Sequence, residues 1–195
     1  MLKPIETEYK GYRFRSRTEA RWAVFFDSLG LRYEYEKEGY DLDEAGWYLP
    51  DFWLPKQKCW VEVKGVTPTE AERNKAKALA RNGRRPVWIL VGLANYDPEF
   101  EEWNPHYRIN AEMYFFNDLP DWYAKTAIED PDEYGGIEHV ERNIRQGCAD
   151  SKMNPAIPFP QVRINSDYHI YACSNDQFIS AYKAAKGARF ERVTA

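Results

Sequence analysis

A strand, a helix and a second strand are expected in succession between residues 59 and 91, and this succession limits the fold more than any other part of the chain. Residues 59–66 alternate apolar and polar side chains with the period of a strand. Residues 69–82 have helical spacing, and residues 86–91 form an apolar run rich in β-branched and aromatic side chains. Because a helical crossover joins parallel strands, we expect an α/β fold in which these two strands lie parallel in one sheet.

Three further elements are expected before this unit. Residues 16–29 have the spacing of an amphipathic helix, and residues 31–36 and 47–54 are strand-like segments separated by a polar loop that contains glycine. The expected core order is therefore α-β-β-β-α-β, a mixed sheet flanked by helices. The second helix of this core has two candidate N-cap residues, Thr67 and Thr69, and the spacing does not choose between them.

The pattern weakens beyond residue 92. We expect a strand at 111–116, then turn-rich sequence to about residue 160, a short strand at 168–173 and a final amphipathic helix. On this basis residues 1–118 form the core domain, and residues 119–195 form a C-terminal extension with a short strand and a final helix.

Two acidic side chains and a lysine are placed on neighbouring predicted strands, in an arrangement suited to binding a metal ion. Asp51 lies on one strand, and Glu62 and Lys64 lie on the next. Because side chains two apart on a strand share a face, Glu62 and Lys64 should lie side by side, while the intervening valines face apolar packing. Mg²⁺ prefers carboxylate and carbonyl oxygens, which Asp51, Glu62 and the backbone carbonyl of Val63 could supply.

The chemistry of such a site favours phosphodiester hydrolysis. The Lys64 ammonium could orient or help deprotonate an attacking water and offset charge on the phosphate, while the metal ion activates that water. Two carboxylates about 4 Å apart near a surface repel by roughly 4 kcal/mol, a cost that a divalent cation removes. The same residues also fit an ordinary half-exposed strand with cross-strand ion pairs. Asp51 on the preceding strand and the helix that follows favour the metal site.

Composition narrows the class of protein. The chain has 195 residues, 44% of them hydrophobic, and is long enough to bury a core. It has no apolar run of membrane-spanning length and no apolar stretch at its N-terminus, and its three cysteines are scattered. Cys148, His169 and Cys173, alone or with His139, match no compact zinc pattern, and we interpret them as buried cysteines and hydrogen-bonded histidines. We therefore expect a cytoplasmic protein that contacts no membrane.

Charge is distributed unevenly along the chain. Residues 1–96 carry 17 Lys and Arg against 14 Asp and Glu, a net charge of +3, whereas residues 97–195 carry 10 against 17, a net charge of −7. Cations on the second helix are scattered around it and fit a solvated face. The candidate contacts to nucleic-acid phosphates cluster at the start of the first helix: Arg13, Arg15, Arg17 and Arg21. The acidic half is poorly suited to bind a duplex alone, so we expect it to shape a channel for the nucleic acid, mediate dimer contacts or recruit a protein partner.

In combination, three segments resemble the PD-(D/E)xK nuclease superfamily: residues 15–27, Tyr48-Leu49-Pro50-Asp51-Phe52 and Trp60-Val61-Glu62-Val63-Lys64-Gly65. They are similar to small phage-encoded nucleases, to phage Holliday-junction resolving enzymes and to the endonuclease subunit of Tn7-type transposases. The resemblance covers residue 12 to about residue 92. It implies a restriction-endonuclease-like core and Mg²⁺-dependent hydrolysis of DNA phosphodiester bonds, and we expect Mn²⁺ to be able to replace Mg²⁺. If the chain is phage-encoded, the expected location is the host cytoplasm.

The resemblance also implies that a glutamate on the first helix completes the metal site, and Glu19 is the matching position. Glu19 equally fits a capping box with Ser16, and both roles stay open. We therefore expect an endonuclease that uses Asp51, Glu62, Lys64 and Glu19. A homodimer is one arrangement of this enzyme, because cutting both strands of a DNA duplex needs two active sites. The alternative is a catalytically silent DNA-binding or assembly subunit of a phage or mobile-element complex.

Overall fold

A five-stranded mixed sheet lies at the centre of the protein. The computed structural model describes residues 4–83, 85–96, 109–116, 162–164, 170–172 and 176–190. The helices in this part of the chain are α1 (Arg17–Ser28), α2 (Glu70–Gly83) and α3 (Asp176–Gly187), with a 3-10 turn at Asp43–Ala45. The strands are β1 (Thr7–Tyr9), β2 (Tyr12–Phe14), β3 (Glu34–Tyr35), β4 (Tyr40–Asp41), β5 (Trp47–Tyr48), β6 (Phe52–Leu54), β7 (Cys59–Lys64), β8 (Val87–Tyr96), β9 (Ile109–Phe116), β10 (Val162–Ile164) and β11 (Ile170–Ala172).

The central sheet has the order β3-β6-β7-β8-β9. Strands β7 and β8 are parallel, in register from Trp60 with Val87 to Lys64 with Val91, and α2 connects them. The other neighbouring pairs are antiparallel. This arrangement confirms the parallel pair and the mixed sheet that the sequence predicts, and the protein is a mixed α/β protein.

Helices cover both faces of the sheet. On one face, α1 and α3 pack together, with the rings of Trp22 and Phe25 centred 5.7 and 4.3 Å from the ring of Tyr182. On the other face, α2 contributes a hydrophobic cluster with alternate residues of β7 and β8, such as Trp60 and Ile89. Because α3 shares its hydrophobic cluster with α1, part of the predicted C-terminal extension packs into the core. The predicted boundary at residue 118 lies outside the described residues.

Two predicted strands are shorter than expected. The segment 47–54 divides into β5 and β6, because Pro50 has no backbone N–H for a ladder and the chain changes sheets there. The segment 31–36 contributes only the two residues of β3. An unpredicted hairpin, β1–β2, precedes α1, and its turn residues Lys10 and Gly11 both have positive φ, as a two-residue hairpin turn with matching twist requires.

Among the described helices, none combines the length and the apolar character that are needed to cross a bilayer.

Candidate active site

Asp51 is held between strands β5 and β6 and is almost fully buried, with 2% of its surface exposed. Strands β6 and β7 pair with Phe52 opposite Val61, and continuing this register by one residue places Asp51 opposite Glu62 on the same face. The Asp51 Oδ2 atom accepts a hydrogen bond of 2.7 Å from the backbone N–H of Val63. The sheet register therefore brings the two predicted acids together.

Glu62 lies on the α2 face of β7 and is 5% exposed. Its Oε1 atom forms an ion pair of 2.8 Å with Lys64, whereas its buried Oε2 atom accepts no hydrogen bond in the described part of the protein. The buried hydroxyl of Tyr48 also lacks a hydrogen bond of ordinary geometry there, but it lies close enough to Glu62 for a hydrogen bond between them to shift the pKa of both groups. Burial, and then the charge of Glu62, raise the pKa of Tyr48 well above its ordinary value. A buried carboxylate oxygen with at most one weak donor is costly, and it is available to a cation.

Lys64 is held by two carboxylates. Its Nζ atom lies 2.8 Å from Glu62 Oε1 and 3.0 Å from Glu72 Oε1. Partial burial lowers the pKa of Lys64, but the charge of Glu62 and the hydrogen bonds to both glutamates outweigh it and raise this pKa above the ordinary lysine value. With these contacts the ammonium is protonated at neutral pH, and Lys64 can act as a cation in the site.

Sequence reasoning missed Glu72. This residue lies in the first turn of α2, where its Oε2 atom accepts hydrogen bonds of 2.8 Å from both the N–H and the hydroxyl of Thr69. Thr69 is thus the cap of α2, which resolves the choice between Thr67 and Thr69. Burial raises the pKa of Glu72, but the hydrogen bonds from Thr69 and Lys64 lower it to about 2. The Thr-x-x-Glu spacing was a visible signal for the cap, but nothing in it indicated Lys64 as a second partner.

Glu19 lies in the first turn of α1 and is 6% exposed. Its backbone N–H donates to the Ser16 hydroxyl at 3.2 Å, and that hydroxyl donates to Glu19 Oε1 at 2.6 Å. The other oxygen, Oε2, accepts from the Arg15 N–H at 3.1 Å and from the Tyr35 hydroxyl at 2.6 Å. The capping role predicted for Glu19 is therefore present, although its carboxylate reaches the Arg15 amide instead of the Ser16 amide. Oε2 already accepts two hydrogen bonds, whereas Oε1 accepts one and retains a lone pair, so capping leaves Oε1 open to a metal contact.

The electrostatics of the acids are unfavourable to their charged forms. Burial, followed by the negative charges of Glu62 and Glu19, raises the pKa of Asp51 well above the usual aspartate value, although the Val63 amide and Arg15 oppose this. Burial also raises the pKa of Glu62, against the opposing effect of Lys64. The charges of Glu62 and Glu19 thus both act on Asp51, and a cation bound to Asp51 would relieve this repulsion.

The donor set fits a hard divalent cation, because it offers buried carboxylate oxygens, and Glu62 Oε2 has no hydrogen bond of ordinary geometry among the described residues. The acids do not form a complete coordination shell: within the described ranges, no three His, Cys, Asp or Glu side chains are grouped closely enough to hold a metal ion. Lys64 and Arg15 instead bind the carboxylates. The Val63 side chain packs in the hydrophobic cluster, which leaves only its backbone for the site. Cys148, His169 and Cys173 lie outside the described residues.

The four arginines proposed to contact DNA divide into two pairs. Arg13 is exposed and paired with Glu6, and Arg15 is paired with Asp51 and Glu36. Arg17 and Arg21, one helical turn apart on α1, form no ion pair with the described acidic residues and remain candidates for phosphate contact. The position of Arg15 inside the acid cluster differs from the simple surface role that the sequence suggested.

Comparisons with protein-family models, with curated proteins and with solved structures find no match to this chain. The function is therefore inferred from the residues of the site and their geometry.

Proposed function

We propose that this protein is a metal-dependent DNA endonuclease with the restriction-endonuclease-like core of the PD-(D/E)xK superfamily. The observation that carries the proposal is the placement of two buried acids, Asp51 and Glu62, beside Lys64 at one point of a mixed sheet. Burying two like charges side by side has a large cost, and a structural strand pair gains nothing from it. The sheet order and the two flanking helix layers are compatible with this fold.

Asp51, Glu62 and the backbone carbonyl of Val63 would hold Mg²⁺ or Mn²⁺, with Glu19 as a further ligand. The Val63 amide would orient Asp51 from the same residue, because it already donates to Oδ2 at 2.7 Å. The bound ion would supply Lewis-acid activation of water and neutralisation of phosphate charge. Lys64, kept protonated by Glu62 and Glu72, would offset charge that develops on the scissile phosphate.

The experiment is conversion of supercoiled plasmid by the wild type and by Lys64→Ala, each with Mg²⁺, Mn²⁺ or EDTA. We expect metal-dependent cutting that Lys64→Ala loses, and the ratio of nicked to linear product reports how many strands are cut. Lys75→Ala is the matched control, because Lys75 donates to the Trp47 carbonyl at 2.9 Å and contacts none of the site acids. A branched DNA substrate is tested in parallel.

One observation favours a second function, that of a catalytically silent DNA-binding or assembly subunit. The pairs Arg15–Asp51 and Lys64–Glu62 partly neutralise the acids without a metal ion. A binding module should bind DNA equally well in EDTA, and absence of cutting on plasmid and on branched DNA would favour it.

A further inference from the structure

Arg15 binds the acid that the proposed function assigns to the metal ion. Its Nη2 atom lies 2.7 Å from Asp51 Oδ1, and its Nε atom lies 2.7 Å from Glu36 Oε1. The Arg15 side chain is 55% exposed, whereas that of Asp51 is 3% exposed. One side chain from the surface thus provides the cationic partner of a buried carboxylate.

The backbone and the side chain of Arg15 are held differently. The Arg15 N–H donates to Glu19 Oε2 and to the Tyr35 hydroxyl, both at 3.1 Å, which fixes the start of the side chain. The guanidinium reaches the site from solvent and also pairs with Glu36, whose own N–H donates to the Asp51 carbonyl at 2.8 Å. The guanidinium can therefore leave Asp51 by side-chain rotation alone, without movement of the backbone that carries Glu19.

A divalent cation and the Arg15 guanidinium would compete for the same carboxylate. Asp51 Oδ2 accepts the Val63 amide and Oδ1 accepts the Arg15 guanidinium, so a cation that binds this carboxylate lies close to the Arg15 charge. Two cations held against one buried carboxylate repel each other strongly in a partly desolvated site. A permanent Arg15–Asp51 pair would therefore weaken metal binding.

We infer that Arg15 is an exchangeable counter-cation: it neutralises Asp51 until a divalent ion binds there, and the released guanidinium then contacts a phosphate of the DNA. This inference rests on the proposed function and adds a metal-coupled switch to it. Glu36 provides a second anchor for the guanidinium at the surface. The exchange couples loading of the ion to the appearance of a positive charge that can bind a phosphate.

The first test is Mn²⁺ binding to the full-length protein, measured by the electron paramagnetic resonance signal of free Mn²⁺. Arg15→Gln should bind Mn²⁺ at least about fivefold more tightly than the wild type, because the charge that competes for Asp51 is gone. The amide nitrogen of glutamine stands where the arginine Nε lies, so it can keep the contact with Glu36. Arg13→Gln is the matched control and should leave Mn²⁺ affinity unchanged, because Arg13 pairs with Glu6 instead of the site acids. A purely structural role for Arg15 predicts the opposite, weaker metal binding. Unchanged or weaker binding by Arg15→Gln overturns the inference.

The second test uses the wild type and does not depend on whether a variant folds. The Arg15 Nε–H signal in a nuclear magnetic resonance titration should shift and broaden as Mg²⁺ is added, with half-saturation at the concentration that activates cleavage. A signal that Mg²⁺ leaves unchanged in a protein that cuts DNA overturns the inference and leaves the proposed function intact. A wild type that neither binds Mn²⁺ nor cuts DNA overturns both.

Discussion

The starts of helices α1 and α2 share one local pattern but contribute to the site in different ways. Each helix begins with a hydroxyl residue followed three positions later by glutamate, Ser16 with Glu19 and Thr69 with Glu72. In both, the hydroxyl accepts from the glutamate N–H and donates to the glutamate carboxylate. The local physics of capping is therefore the same at the two helices.

The two glutamates differ in burial and in what else they bind. Glu19 is 6% exposed and lies close enough to Asp51 for its charge to raise the pKa of Asp51. The Glu72 side chain is 37% exposed and binds Lys64 at 3.0 Å. Glu19 thus adds negative charge near Asp51, whereas Glu72 binds the ammonium of Lys64. A capping box does not by itself distinguish these roles, because the second contact of the carboxylate decides them.

Among the substitutions that compare the two helix starts, Glu19→Gln should have the largest effect on the cleavage rate. The amide oxygen can accept from Tyr35 and Arg15 while the amide NH₂ donates to the Ser16 hydroxyl, so the melting temperature should stay near that of the wild type. Loss of the carboxylate charge should slow plasmid cleavage about 100-fold, which corresponds to roughly 2.7 kcal/mol of transition-state stabilisation. Full cleavage activity in this variant would remove Glu19 from the site and leave it only a cap.

A smaller effect is expected for Glu72→Gln. The amide oxygen must accept from Thr69, which turns the NH₂ group towards Lys64 and replaces an attraction with two facing donors. Cleavage should fall about 5- to 10-fold, or roughly 1–1.4 kcal/mol, as Lys64 loses one anchor. Glu70→Gln, an exposed position in the same helical turn, is the control and should cleave normally. Equal rates for the two variants would show that Glu72 serves only as a cap.

The smallest effects are expected from removal of the two cap hydroxyls. Ser16→Ala and Thr69→Ala should each cost about 1 kcal/mol of unfolding free energy, measured by urea denaturation, because each removes a cap hydroxyl. Ser16→Ala should also reduce cleavage more than Thr69→Ala does, since Ser16 orients a buried acid. The reverse order of cleavage rates would contradict the distinction drawn between the two helices.

The parts of the fold and site that could be predicted are those set by local pattern. Alternation along β7 placed Glu62 beside Lys64, and the crossover length made β7 and β8 parallel. The antiparallel β6–β7 pair brought Asp51 opposite Glu62. Each of these follows from the strand period or from short connections, which the sequence displays directly.

The contacts that could not be predicted join distant parts of the chain. Arg15 lies 36 residues before Asp51 and was interpreted as a surface contact, because arginine near a helix start has no periodicity that indicates a buried partner. The Lys64–Glu72 pair depends on where α2 settles against the sheet, which the spacing of its cap does not determine. Packing of α3 on α1 likewise depends on tertiary contact between segments more than 150 residues apart.

The most direct test of a divalent-cation site is thermal melting of the wild type and Glu62→Gln with and without Mg²⁺. In EDTA, Glu62→Gln loses both the charge repulsion with Asp51 and the charge attraction to Lys64, so its melting temperature should stay near that of the wild type, with its amide oxygen keeping a hydrogen bond to Lys64. Mg²⁺ at millimolar concentration should raise the melting temperature of the wild type but not that of Glu62→Gln, since a ligand stabilises the folded state only where it binds. Equal effects of Mg²⁺ on both proteins, or no effect on the wild type, would contradict a metal site built on Asp51 and Glu62.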